Sequence, residues 1–254
     1  MLHFTILGSG TSTGVPLIGC DCEVCKSVDP INKRLRTSIK IQSATTTVVI
    51  DTTPDFRYQM LRTQTTKIDA IVFTHPHRDH YAGLDDIRPF NFFSNKSMPI
   101  YANALTQIAI KRDFYYAFEE KKDVGLPEMI IHTIDQAAFT VGDIPFIPIQ
   151  VMHREMPVLG FRIGELSYIT DANYISEEEK EKVRGSKILI LNALRKQDHP
   201  THFNLDQAIA LATELKVPTV YFIHFSHQIG LHDQVTASLP SGMHLAYDGL
   251  GFSC

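Results

Sequence analysis

The stretch FTHPHRDHYAG, residues 73–83, sets His75, His77, Asp79 and His80 within six positions, directly after the apolar run DAIVF. A buried strand gives such a loop a rigid base, and a loop at a strand end can turn several side chains toward one point. Imidazole nitrogen and carboxylate oxygen together suit zinc, manganese or iron. Four such groups in one turn are far rarer as incidental loop polarity than as a metal site. The feature therefore constrains the fold: the strand that carries it must end where other ligand-bearing strands end.

One tetrahedral ion takes about four ligands, so a crowded turn still needs partners from elsewhere. His153 closes the run IPIQVMH, Asp171 closes LSYITD and His224 closes TVYFIH. Each alone could be a hydrogen-bonded core or surface group, but the same placement recurs three times. Seven ligands exceed what one tetrahedral ion uses, and two ions sharing Asp171 would account for all of them. His3, His132, His232 and His244 have no ligand pattern around them and read as solvated or capping groups.

Strand-like runs cover 2–8, 37–43, 46–51 and 67–74, then 144–153, 159–164, 166–171, 186–194 and 218–225. Helical periodicity covers 103–121, 176–183 and 204–215, the last two opened by the N-caps Ser176 and Asn204. Many strands in each half with helices between them imply two sheets in a layered α/β arrangement. No linker, repeat or low-complexity tract divides the chain, so 1–254 is expected to form one domain.

A second constellation is GCDCEVC, residues 19–25, with Cys20, Cys22 and Cys25 in Cys-x-Cys-x2-Cys spacing. Three thiolates this close suit one soft-ligand metal, which wants a fourth ligand. Cys254 could serve, but chain ends are usually mobile. His227, three residues after His224, is the better candidate and would tether an N-terminal zinc-binding loop at about 19–26. GSGTSTG, residues 8–14, imitates a dinucleotide fingerprint, but position 13 is Thr13 where the third glycine belongs. A cysteine cluster follows it in place of a helix, so that reading is rejected.

A net charge of -4 and the lack of a basic run argue against a general nucleic-acid or membrane-surface binder. The first residues lack a basic leader with a long apolar run, and the chain reads as cytoplasmic.

HPHRDH at 75–80 resembles the His-x-His-x-Asp-His hallmark of the metallo-β-lactamase superfamily. VVIDTTPD resembles that superfamily's earlier motif, with Asp51 at a strand end, and His153, Asp171 and His224 follow in the order of its later ligands. Within it the chain is most similar to PhnP-like phosphodiesterases, whose extra zinc site is matched by Cys20, Cys22, Cys25 and His227. The resemblance implies an αββα four-layer sandwich and two divalent catalytic ions, Mn or Zn with Fe open, beside one structural Zn. It implies that His75, His77 and His153 hold one ion and Asp79, His80 and His224 the other, with Asp171 between. It further implies a metal-bridging hydroxide that attacks phosphorus, with Asp79 helping to orient it and His202 acting as general acid; His199 is the second choice. Arg36, Arg57, Arg78 and Arg88 lie near the motifs as candidates for phosphate contact.

The expected partner is a small or cyclic phosphodiester, without membrane or nucleic acid, and a homodimer is left open. The alternatives are transfer-RNA 3′-end processing, thioester or lactam hydrolysis, and a non-catalytic metal-binding protein.

Overall fold

The computed structural model describes residues 1–119 and 125–254. Its strands are β1 (His3–Gly8), β2 (Ser38–Gln42), β3 (Thr47–Ile50), β4 (Ala70–Val72), β5 (Met98–Ala102), β6 (Met129–Thr133), β7 (Phe139–Val141) and β8 (Ile144–His153). They continue with β9 (Met156–Ile163), β10 (Leu166–Ile169), β11 (Tyr174–Ile175), β12 (Ile188–Asn192), β13 (Thr219–Ile223), β14 (Met243–Leu245) and β15 (Gly251–Ser253). The helices are α1 (Glu23–Lys26), α2 (Phe56–Arg62), α3 (Arg78–Tyr81), α4 (Arg88–Ser94), α5 (Ala104–Asp113), α6 (Glu177–Val183), α7 (Leu205–Leu215) and α8 (His232–Thr236). Among the described residues no helix is long and apolar enough to cross a membrane.

One sheet runs β15-β1-β2-β3-β4-β5-β6 and the other β11-β8-β9-β10-β12-β13-β14, with β7 paired to β8. Strand alternation decides the layering. Val48, Ile50, Ala70 and Val72 face the second sheet, where they meet Leu159, Phe161, Tyr168 and Ile190. Val49 and Ile71 point the other way, into a core with Phe56, Met60, Leu84 and Ile110 from the helical layer over the first sheet. Leu189, Leu191, Val220 and Phe222 meet Val183, Leu205, Ala208 and Val235 from α6, α7 and α8 over the second. Each strand interior is thus buried on both faces, at roughly 1.5–3 kcal/mol per large aliphatic side chain. The result is helix, sheet, sheet, helix.

This layering brings the ligand-bearing ends together. β3, β4, β5 and β6 run parallel, as do β10, β12 and β13. Their C-terminal ends therefore share one rim of their sheet. There the Leu159 N–H donates to the Thr74 carbonyl at 3.1 Å, stitching the two sheets beside His75.

The helix expected over 103–121 is shorter. It runs as α5 from the N-cap Asn103, and Phe114 leaves helical backbone before a short 3-10 turn at Tyr115–Ala117. Residues 120–121 of that expectation lie outside the described residues. The glycines of GSG are explained by close packing: a Cβ on Gly8 would sit 2.0 Å from the Arg36 carbonyl oxygen. The stretch joins the N-terminal loop to the segment before β2 and forms no phosphate cradle.

Candidate metal centre

Asp51, Asp171 and His224 follow β3, β10 and β13, and all three hold left-handed backbone, with φ of 66°, 52° and 58°. Such conformations cost about 1–3 kcal/mol each in non-glycine residues and persist where the surroundings over-determine them. Beside Asp171, the buried Asn192 amide clamps the peptide of Ala172, donating to its carbonyl and accepting from its N–H, both at 2.9 Å. Asn192 has no mark in the sequence beyond being polar in an apolar strand, and that was the signal available.

Asp51 lies behind the ligands. Its carboxylate accepts from the Thr74 N–H at 2.9 Å and the Thr74 hydroxyl at 2.8 Å, and its Oδ2 lies 2.7 Å from His80 Nδ1. Thr74 Oγ1 is also 2.9 Å from His75 Nδ1. These contacts fix both rings so that their Nε2 atoms face away from Asp51. Both Nε2 atoms are buried without a hydrogen-bond partner, as is that of His224. Buried imidazole nitrogens left unpaired and converging are what a cation site requires.

The candidate ligand atoms fall into three groups, each within 4.8 Å internally: Asp79, His80, Asp171 and His224; His75, His77 and Asp171; and His153, Asp171 and His202. Asp171 belongs to all three. Its Oδ1 is 3.3 Å from His80 Nε2 and 3.2 Å from His224 Nε2, while its Oδ2 is 3.7 Å from His75 Nε2. Asp79, His80 and His224 share one group with Asp171. His153 falls beside Asp171 and His202, with its ring 5.1 Å from that of His77. The His202 ring stacks on His224 at 4.9 Å and meets His153 edge-on at 4.6 Å.

Protonation follows from this crowding. Burial alone would raise the Asp79 and Asp171 carboxyls, but the imidazoles of His80 and His224 outweigh it and hold both well below the usual carboxylate range. Burial keeps His75 and His153 neutral, and it pushes His202 down to about 3. Ionised carboxylates and neutral imidazoles are the forms that bind cations. His80 is the exception: burial disfavours its charge, yet Asp171, Asp79 and Asp51 together raise it well above the ordinary histidine value. A bound cation would take the place of that proton.

The second group is Cys20, Cys22, Cys25 and His227. Cys22 caps α1, and His227 Nδ1 lies 3.4 Å from Cys20 Sγ and 3.3 Å from Cys22 Sγ. The His227 contact lowers the Cys22 thiol to about 6, whereas burial raises Cys25 to about 11. Cys254 is elsewhere, its backbone paired with Leu2.

Other expectations need correction. His232 is neither solvated nor a cap: it is buried, with Nδ1 3.5 Å from the buried Arg34 guanidinium, because α8 folds over the segment before β2. Arg36 is held by Asp55 and the Ser12 carbonyl, Arg78 by Asp113, and Arg88 by Asp85. Arg57 lines a separate cavity with Met60 and Phe90.

A profile of the Beta-lactamase superfamily domain matches residues 46–225. The solved structure of a protein described as a new diphosphatase from the PhnP family is 43% identical, with a TM-score of 0.93, covering 100% of this chain and 98% of that one. The chain is a β-lactamase superfamily hydrolase of the PhnP family. Its sandwich is the metallo-β-lactamase fold, and the metal dependence of that family fits the donor set just described. Zn(2+)-bound PqqB from Methylobacterium extorquens shares the fold at 17% identity and a TM-score of 0.81, covering 99% of this chain and 100% of that one. A curated relative in Porphyromonas gingivalis (strain ATCC BAA-308 / W83), named Octanoyltransferase, is 38% identical over 248 residues, or 96% of this chain. The chain spans about half the length of that relative.

Proposed function

We propose that this PhnP-family hydrolase cleaves a phosphoric diester or diphosphate bond at a centre for two divalent cations. The observation that carries the reading is Asp171, whose carboxylate serves ligand groups on both sides at once. His75, His77 and His153 would hold one cation and Asp79, His80 and His224 the other, with Asp171 shared. When bound, the pair would make water a better nucleophile near neutral pH and neutralise charge gathering on phosphoryl oxygens.

The chain's own residues supply the rest. Asp51 and Thr74 hold the His80 and His75 rings in one tautomer, so the ligands need not reorganise during turnover. With the cations bound, Asp79 would also be placed to accept a hydrogen bond from the attacking water and so orient it. His202 would donate a proton to the departing oxygen; its ring packs against His153 and His224 at the edge of the centre. The anionic diester supplies the negative charge that lets this imidazole carry the proton.

One observation favours chemistry at phosphorus. The relative sharing 43% of its sequence is described as a diphosphatase. The name Octanoyltransferase belongs to a protein of which this chain matches 50%, and its acyl chemistry is the second reading. Transfer-RNA processing is disfavoured by the net charge of -4, which gives poor nonspecific RNA affinity. Protein loaded with Mn or Zn should turn over bis-p-nitrophenyl phosphate far faster than p-nitrophenyl esters of carboxylic acids. The reverse preference would transfer the assignment to acyl hydrolysis.

A further inference from the structure

In the helical layer over the first sheet, α4 is held in one orientation from below. Asn91 is buried, and its amide nitrogen donates to the Lys96 and Glu128 carbonyls at 2.9 and 2.8 Å. Its oxygen accepts from the Glu128 N–H at 3.0 Å. Phe90 reaches down to Phe56, with ring centroids 6.2 Å apart. These contacts fix the roll of the helix and so dictate what it turns outward. Phe92 is left 80% exposed and Phe93 82%, their rings 5.2 Å apart and edge to face. A lone exposed aromatic is ordinary, but two held out side by side by a buried clamp mark a face meant to be covered.

Beside this ridge lies a hole. A cavity of about 420 Å³ opens between α2 and α4, walled by Met60, Leu61, Pro89, Phe90 and Phe93. Gln64, Thr65 and Thr66, just past α2, complete it. Its charged lining groups are Arg57 and Asp86, one of each sign. Arg88 is taken by Asp85, so Asp86 forms no ion pair among the described residues, and neither does Arg57. Burial, then Asp85, raises the Asp86 carboxyl from its ordinary value, and Arg57 opposes that rise only in part. The face thus lacks both an apolar cover and a full set of countercharges.

An occupant must be aromatic or aliphatic where it enters and carry both signs of charge beside that point. The same face of a second copy meets both demands. A patch that holds ridge and hole together is what a two-fold, isologous contact needs. The area agrees. At about 150–250 Å² per aromatic side chain, Phe92 and Phe93 expose roughly 250–400 Å² between them, against about 800 Å² that each partner gives to a stable interface. Leu61 and Tyr58, both more than half exposed, extend the patch. An anionic membrane fits less well, because helices that lie on one carry a basic polar face, and Asp86 stands in this one.

We propose that the α2–α4 face is a homodimer interface, in which Phe93 of each copy enters the cavity of the other and Arg57 meets Asp86 of the second copy. No residue of either candidate metal site belongs to this face, so the proposal is independent of the reaction.

The test is sedimentation velocity of the metal-loaded protein over a concentration series. The wild type should sediment as a dimer. Phe93→Asp should weaken association about thirty-fold or more with metal content unchanged, as loss of a central aromatic anchor does. Arg57→Asp and Asp86→Arg should each weaken it, and the double variant, with the charges exchanged, should regain it. Three results would each overturn the assignment: a wild type that stays monomeric throughout, association indifferent to Phe93→Asp, or a double variant no better than the single ones. A monomeric wild type that instead floats with phosphatidylcholine–phosphatidylserine vesicles, and loses them in Phe93→Asp, would give the face to a membrane and overturn it as well.

Discussion

The two candidate metal sites are built in opposite ways. The Cys20, Cys22, Cys25 and His227 group takes three ligands from one six-residue loop and a fourth from far along the chain. Four ligands close a tetrahedron, so such a site has no position left for a substrate. The His and Asp group gathers seven candidate ligands from the ends of β4, β8, β10 and β13, and the Asp171 carboxylate belongs to each of its clusters. With a metal bound, closure would make the first site a clasp that ties the N-terminal loop to the turn after β13. Surplus candidate ligands, with His202 beside them, make the second a place for chemistry.

Substitutions can break or sharpen that contrast, ordered here by effect on turnover. His80→Ala should be the most damaging. It removes a ligand and strands Asp51 as a fully buried carboxylate, which costs about 3–5 kcal/mol when a buried pair is broken. Metal analysis should show both cations of the His and Asp group lost while the cysteine-bound zinc stays. Loss of all metal together would erase the distinction between the sites. His202→Ala should lower turnover by about 100- to 10,000-fold with metal content unchanged. Because its ring nitrogen also groups with His153 and Asp171, a missing cation in this variant would make it a ligand instead of an acid.

Asp51→Asn keeps the shape of the side chain and weakens the contact that orients His80. Affinity for the catalytic cations should fall by about 10- to 100-fold, read by competition with a chelator. Unchanged affinity would mean that Thr74 and packing alone align the rings. Cys22→Ser should affect turnover least. It should remove about one equivalent of zinc and lower the melting temperature, because metal binding at a structural site is folding free energy. An unaltered zinc content would show that the cysteine loop is no metal site.

How much of this was legible in the sequence varied with the kind of signal. The seven ligands stood at the ends of apolar runs, so their convergence could be anticipated from strand geometry alone. The cysteine spacing was equally plain, and His227 Nδ1 lies 3.4 Å and 3.3 Å from Cys20 and Cys22 Sγ. Other features carried no local mark. β5 and β6 are short, and α2 and α4 lie between loops rich in turn residues, so their periodicity is weak. The clamp by Asn192 and the burial of His232 depend on residues brought together across the fold, 20 positions apart for Asn192 and Ala172 and 198 for Arg34 and His232. The arginines near the motifs could be phosphate contacts or structural groups by sequence alone, and in the fold Asp55, Asp113 and Asp85 hold three of them. Proximity in sequence to a motif says little about where a long side chain ends.

Metal stoichiometry of the purified, metal-saturated protein is the most direct check on the whole account. About three equivalents per chain are expected, two oxygen- and nitrogen-bound and one thiolate-bound, with Asp171→Ala cutting the total to about one. A saturated wild-type protein that holds a single ion at its histidines, or an Asp171→Ala protein that keeps all three, would contradict the shared-carboxylate centre.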